Sequence, residues 1–147
     1  MNNIIDLGCG SNKILVSAIG VDLKLGKSIE VISNAENLSF KNNSIHLLFS
    51  RRCIQHIKNE VDVFKEIYHI LTKDGRFILI LASWQGWLFY NFKWILRKKP
   101  YPFFHMYFSR LLKNKLQSVG FSIEKFSMIR GKKVIGMDYY FEVTKKD

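Results

Sequence analysis

Asn3-Ile4-Ile5-Asp6-Leu7-Gly8-Cys9-Gly10, followed by Gly20-Val21-Asp22, is the stretch on which the fold turns. An apolar run that stops at Gly-x-Gly predicts a buried strand ending in a tight turn, where glycine lets the backbone pass close to a ligand. Ala18–Leu23 predicts a second strand, and Asp22 at its end is placed to accept hydrogen bonds from both hydroxyls of a ribose. A dinucleotide fingerprint requires a third small residue where Lys13 stands, and too few residues separate the turn from Val21 for an ordinary helix, which disfavours NAD. The phosphate-cradling G-x-x-x-x-G-K-[ST] pattern is absent.

Further strands are predicted at Glu30–Ile32, Ser44–Phe49 and Arg76–Ala82, the last apolar enough to be covered on both faces. A helix follows Asn59, with Ile57, Val61, Phe64, Tyr68 and Leu71 as its apolar side and Asp74-Gly75 as its stop. A second helix spans Ser109–Val119 with Gly120 as C-cap. Two β-like runs close the chain, Phe121–Met128 and Ile135–Val143, with Lys132-Lys133 as an exposed turn. Crossover-linked strands and a terminal strand pair predict an α/β fold, a Rossmann-like three-layer sandwich whose mostly parallel sheet ends in an antiparallel strand. Its ligands are expected at the carboxyl ends of the strands, where Gly8, Asp22 and the loop after Phe49 converge.

These segments together resemble the class I S-adenosylmethionine-dependent methyltransferases, in particular small domains whose first motif is Asp-Leu-Gly-Cys-Gly. The resemblance extends through Asn34 to Ser44, similar to the family's adenine loop; Cys53-Ile54-Gln55-His56-Ile57, similar to its segment after the fourth strand; Glu66 to Phe77; and Val119-Gly120-Phe121. It implies S-adenosylmethionine as cofactor. Asp6, Gly8 and Gly10 would border the methionine and sulfonium end, Asp22 and Leu23 the ribose and adenine, Asn34 and Ala35 the adenine edge, and Ser50 the methionyl part. His56 would face the substrate as general base, against the alternative of a helix-capping histidine. Cys53 is expected to be a small packed residue rather than a methyl carrier. The sequence departs from the family pattern at Asn34, His46 and Gln55, which stand where acids are usual, and the N-terminal helix that closes over the cofactor is expected to be missing.

The 147 residues are 48% hydrophobic and predict one domain over 1–147, with an aromatic and basic lid inserted at about 84–108. Residues 1–90 carry 10 Lys/Arg against 8 Asp/Glu and residues 91–147 carry 13 against 4, so the net charge of +11 lies mostly in the C-terminal part. Cys9 and Cys53 match no metal-ligand spacing, and no metal is expected. No signal peptide or spanning stretch is found, which points to a cytoplasmic protein, peripheral to a membrane if the lid docks there. The expected function is methyl transfer to a small-molecule or lipid-like acceptor. Its rivals are an RNA methyltransferase, motivated by the basic C-terminal part, and a non-catalytic partner subunit. Wound as a helix, Trp84 to Lys99 presents a broad apolar arc beside Lys98-Lys99, which suits an anionic membrane surface, with packing on the sheet as the alternative; nucleic acid is the less favoured partner.

Overall fold

The structure, a computed structural model, describes residues 3–96, 105–130 and 137–146; the side chains of 89–91, 93–95 and 137 lie outside that description. Ile4–Leu7 (β1) lies inside a seven-stranded sheet, between Ile19–Asp22 (β2) and Ile45–Arg51 (β4), both parallel to it. Val31–Ile32 (β3) extends the β2 edge, and Leu71–Ala82 (β5) pairs with β4. The order is β3-β2-β1-β4-β5-β7-β6, where Met137–Lys145 (β7) runs antiparallel to both β5 and Phe121–Arg130 (β6). The expected mostly parallel α/β sheet with an antiparallel strand near its end is what forms.

Alternation decides the core. Ile5, Leu48, Phe77, Leu79, Phe141 and Val143 share one fully buried face. Glu60–Ile70 (α1) and Ser109–Val119 (α3) serve that core through Phe64, Ile67, Leu112 and Leu116, and the Phe64 and Phe77 rings stand 6.3 Å apart. The other face, with Leu47, Phe49, Ile78 and Ile80, is half-buried. The short connections 8–18 and 23–30 cross between strands by turns, without a helix, so the layers on the two faces are unequal.

Two expectations about α1 are corrected. Its buried side is Glu60, Val63, Phe64, Ile67 and Ile70 rather than the row through Val61, Tyr68 and Leu71. Val61, Tyr68 and the buried row leave apolar residues on more than one side of the helix, and Glu60 faces inward where His105 and Lys115 bind its carboxylate. The helix also ends before Asp74-Gly75: Leu71 is extended and pairs with Ile45, so β5 starts there. By contrast α3 stops where its sequence says, at Gly120 with φ 114°.

Trp84–Leu96 (α2) follows β5 directly, beginning the expected lid; residues 97–104 of that lid and the Lys132-Lys133 turn lie outside the described residues. No described helix is long and apolar enough to cross a membrane.

Candidate functional site

The carboxyl ends of β1, β2 and β4 open into a cavity of about 270 Å³, lined by Leu7, Gly8, Asp22, Leu23, Ser33, Asn34, Ala35, Arg52, Cys53, His56 and Ile57. Six of the residues chosen from sequence therefore meet around one space: Gly8, Asp22, Leu23, Asn34, Ala35 and His56. Asp6, Gly10 and Ser50 do not line it.

Gly8 turns the chain at φ 72° and donates its N–H to Val21 O at 2.7 Å. A Cβ there would lie 2.3 Å from the Cβ and Sγ of Cys53, so the two walls approach each other at a place only glycine fits. Gly10, at φ 55°, donates its N–H to Asp22 Oδ2 at 3.0 Å, and Leu23 N–H reaches Asp22 Oδ1 at 2.8 Å. Asp22 is thus oriented by two backbone donors, and a carboxylate with two acceptor oxygens keeps lone pairs for hydroxyls in the cavity. Gly10 acts on the site through Asp22.

Asp6 is 1% exposed, and its Oδ2 accepts the N–H of Ile14. Burial pushes its carboxyl above the usual range, and the Ile14 bond opposes that shift. Its role in the structure is to hold the 8–18 connection over the end of the sheet. Lys13, where a third glycine was absent, fixes the same connection: its Nζ donates to Ala18 O at 2.9 Å and pairs with Glu30, whose Oε2 accepts Gly20 N–H at 2.6 Å. Ser50 is buried in β4 opposite Leu7, against the thiol of Cys53.

Asn34 lines the cavity, but its Oδ1 accepts Glu36 N–H at 3.1 Å, shaping the turn that carries Ala35. Gln55, a departure from the family's usual acid, is 1% exposed and accepts Ala82 N–H through Oε1 at 2.9 Å. An amide oxygen makes that bond as a carboxylate would, without burying a charge. His46 is exposed on β4, away from the cavity residues.

His56 ends the short 3-10 turn Ile54–His56, its N–H bonded to Cys53 O at 2.9 Å, and its half-buried ring borders the cavity. Burial pushes the Cys53 thiol up to about 12, which disfavours the thiolate that a nucleophile would need. Sequence reasoning missed Arg52. This residue adopts φ 57°, unusual outside glycine, and its guanidinium grips Asp138 of β7 through contacts of 2.7, 3.0 and 3.1 Å. The local cue was an acid inside the alternating apolar run of β7.

Residues 5–79 match the methyltransferase domain family. The chain belongs to the class I S-adenosylmethionine-dependent methyltransferases. Among solved structures it is similar to an S-adenosylmethionine-dependent methyltransferase of Methanosarcina mazei, with a TM-score of 0.77 and 19% identity over 99% of this chain and 92% of that one. It is also similar to phosphoethanolamine N-methyltransferase 2 of Haemonchus contortus, solved with phosphomonomethylethanolamine and S-adenosylhomocysteine, with a TM-score of 0.71 and 16% identity over 99% of this chain and 49% of that one. At these identities the likeness is one of fold. An uncharacterized protein of Methanocaldococcus jannaschii is 32% identical over 107 residues, which cover 64% of this chain and 40% of that curated relative's length.

S-adenosylmethionine is the cofactor that this membership brings, and the residues of the methyltransferase site fit it. Gly8 leaves no Cβ in the wall, Asp22 is held by two backbone donors with lone pairs left for hydroxyls, and Ala35 and Leu23 line the cavity with apolar surface.

Proposed function

We propose that the protein transfers a methyl group from S-adenosylmethionine to a small or lipid-like acceptor approaching the Arg52–Ile57 wall of the cavity. The carrying observation is the pair of walls: Gly8, Asp22 and Leu23 suit a nucleoside, while Arg52, Cys53, His56 and Ile57 face it across the same space. When bound, the cofactor supplies an electrophilic methyl on a sulfonium, ready for in-line displacement. The protein's part is alignment and exclusion of water, which can supply several kcal/mol without a protein nucleophile. Asp22 fixes one end of the donor through backbone-held geometry. His56 borders the opposite wall, where an imidazole nitrogen can take the proton of an attacking O–H or N–H group. Arg52 gives that wall a cation held in place by Asp138, which suits an acceptor carrying a phosphate or carboxylate.

A small or lipid-like acceptor is preferred to RNA because the loop after β4 reads Ser50-Arg51-Arg52-Cys53, without an Asn-Pro-Pro-aromatic motif for base amines. The reading is supported by the phosphoethanolamine methyltransferase of similar fold, which was solved with a small phosphorylated amine.

Calorimetric titration with S-adenosylhomocysteine tests the nucleoside wall. Asp22→Ala should weaken binding by roughly 1.5–3 kcal/mol, about 10- to 150-fold, through loss of charge-assisted hydrogen bonds. Its circular dichroism spectrum should stay native. Unchanged affinity in folded Asp22→Ala protein would remove Asp22 from the cofactor site.

A further inference from the structure

Every fourth residue of α2 on its outer side is apolar and uncovered: Trp84 is 36% exposed, Leu88 48%, Phe92 65% and Leu96 71%. The row continues beyond the helix, since Trp84 stacks on Phe108 with ring centroids 6.4 Å apart, and Phe108 and Leu111 are themselves 42% and 57% exposed. An apolar strip joined across two helices is more than the scattered exposed leucines of an ordinary surface.

Charge identifies what covers it. From Trp84 to Asn114 the chain has six lysines and arginines and no aspartate or glutamate. A second copy meeting this surface face to face would bring together two segments that are basic and free of acids in sequence. Single-stranded RNA would satisfy the charge but gains from stacking on rings, and Leu88, Leu96 and Leu111 offer it none. An anionic bilayer surface satisfies both features, because aliphatic and aromatic side chains enter the acyl boundary while lysines and arginines stay among the headgroups.

We propose that α2 and the start of α3 form a docking surface for an anionic lipid membrane, with α2 lying in the plane of the interface. α2 begins two residues beyond the end of β5, and Gln55, neighbour of His56, bonds to Ala82 there. Docking therefore brings the cavity's Arg52–Ile57 side close to the lipid surface. The lipid interaction stands on the α2 surface alone and does not depend on the methyl-transfer reading.

The full-length protein is sedimented with vesicles of phosphatidylcholine alone and of equimolar phosphatidylcholine and phosphatidylglycerol, at low and high salt. Binding to the anionic vesicles is expected, weakened at high salt, with little binding to the neutral ones. Leu88→Ser/Phe92→Ser should reduce it by about tenfold or more through lost apolar insertion. Val16→Ser, at a residue 93% exposed on the connection after β1, serves as control and should change nothing. Circular dichroism and S-adenosylhomocysteine titration of each variant report folding and the cofactor site separately. Three results would overturn the proposal: no anionic binding at low salt, equal binding by folded Leu88→Ser/Phe92→Ser protein, or displacement of the protein from vesicles by a 20-nucleotide RNA that the double variant binds as well as the wild type.

Discussion

Replacing Gly8 by alanine is expected to destabilise the protein by roughly 2–5 kcal/mol, in two separable parts. The first is backbone strain: φ 72° is open to glycine but costs an L-residue with a Cβ about 1–2 kcal/mol. The second is overlap with Cys53, whose Cβ and Sγ would lie 2.3 Å from the new methyl, and relieving it adds about 1–3 kcal/mol. Cys53 cannot simply turn away, since its backbone carries the Ile54–His56 turn and its carbonyl accepts the His56 N–H. Urea unfolding of Gly8→Ala, Cys53→Gly and the double variant separates the parts. Relative to Cys53→Gly, the added cost of Gly8→Ala should fall to the strain alone. A Gly8→Ala protein within about 0.5 kcal/mol of wild type would mean that the two walls are not in contact as described. Because the same displacement moves His56, methyl transfer should suffer even in the folded fraction.

The features of the site legible in the sequence were those whose partners lie close along the chain or follow from strand order. Gly8, Gly10 and Asp22 belong to one turn and the next strand end, and parallel pairing of β1 with β2 brings them together. Asn34 and Ala35 follow β3 in the same way. What stayed hidden depends on side chains far apart in sequence or on backbone registration. The polar start of β5, Thr72-Lys73-Asp74-Gly75, has none of the apolarity that marks a strand, and it bulges between the pairs Ile45–Leu71 and Leu47–Arg76 with Asp74 at φ 58°. Asp6 looks like a ligand-facing acid in a motif, yet only the path of the 8–18 connection shows that Ile14 takes its oxygen. Glu60 lies on the buried side of α1 where two partners from later segments, His105 and Lys115, meet its carboxylate. Local pattern has no access to such pairs, and burial of a charge is decided by its partner.

Arg52 and Asp138 are the extreme case, 86 residues apart and joined across the sheet. Arg52→Met should destabilise the protein by about 3–5 kcal/mol near neutral pH, because Asp138, 3% exposed, would be left as a buried carboxylate without its cation. The pH dependence identifies the cause. Burial already pushes the Asp138 carboxyl above its ordinary value of 3.8, and the Arg52 hydrogen bonds and charge pull the other way. A carboxyl raised in the folded state keeps a proton that the unfolded chain has released, so stability falls as pH rises from the ordinary value towards the raised one. Without Arg52 the folded value rises further and the window widens upward. The deficit of Arg52→Met relative to wild type should therefore be greatest at neutral pH and shrink as pH is lowered towards 4, where the buried carboxyl accepts a proton and becomes neutral. Adding Asp138→Asn to Arg52→Met should recover much of the loss at neutral pH, since a neutral amide removes the stranded charge. Urea unfolding at several pH values checks both statements, and a deficit equal at all pH values would show that lost packing of the Arg52 stem, not charge burial, is responsible. The same pair bears on catalysis. Arg52 lines the cavity with its guanidinium bound to Asp138, so Asp138→Asn alone should raise KM for an anionic acceptor while leaving S-adenosylhomocysteine affinity unchanged.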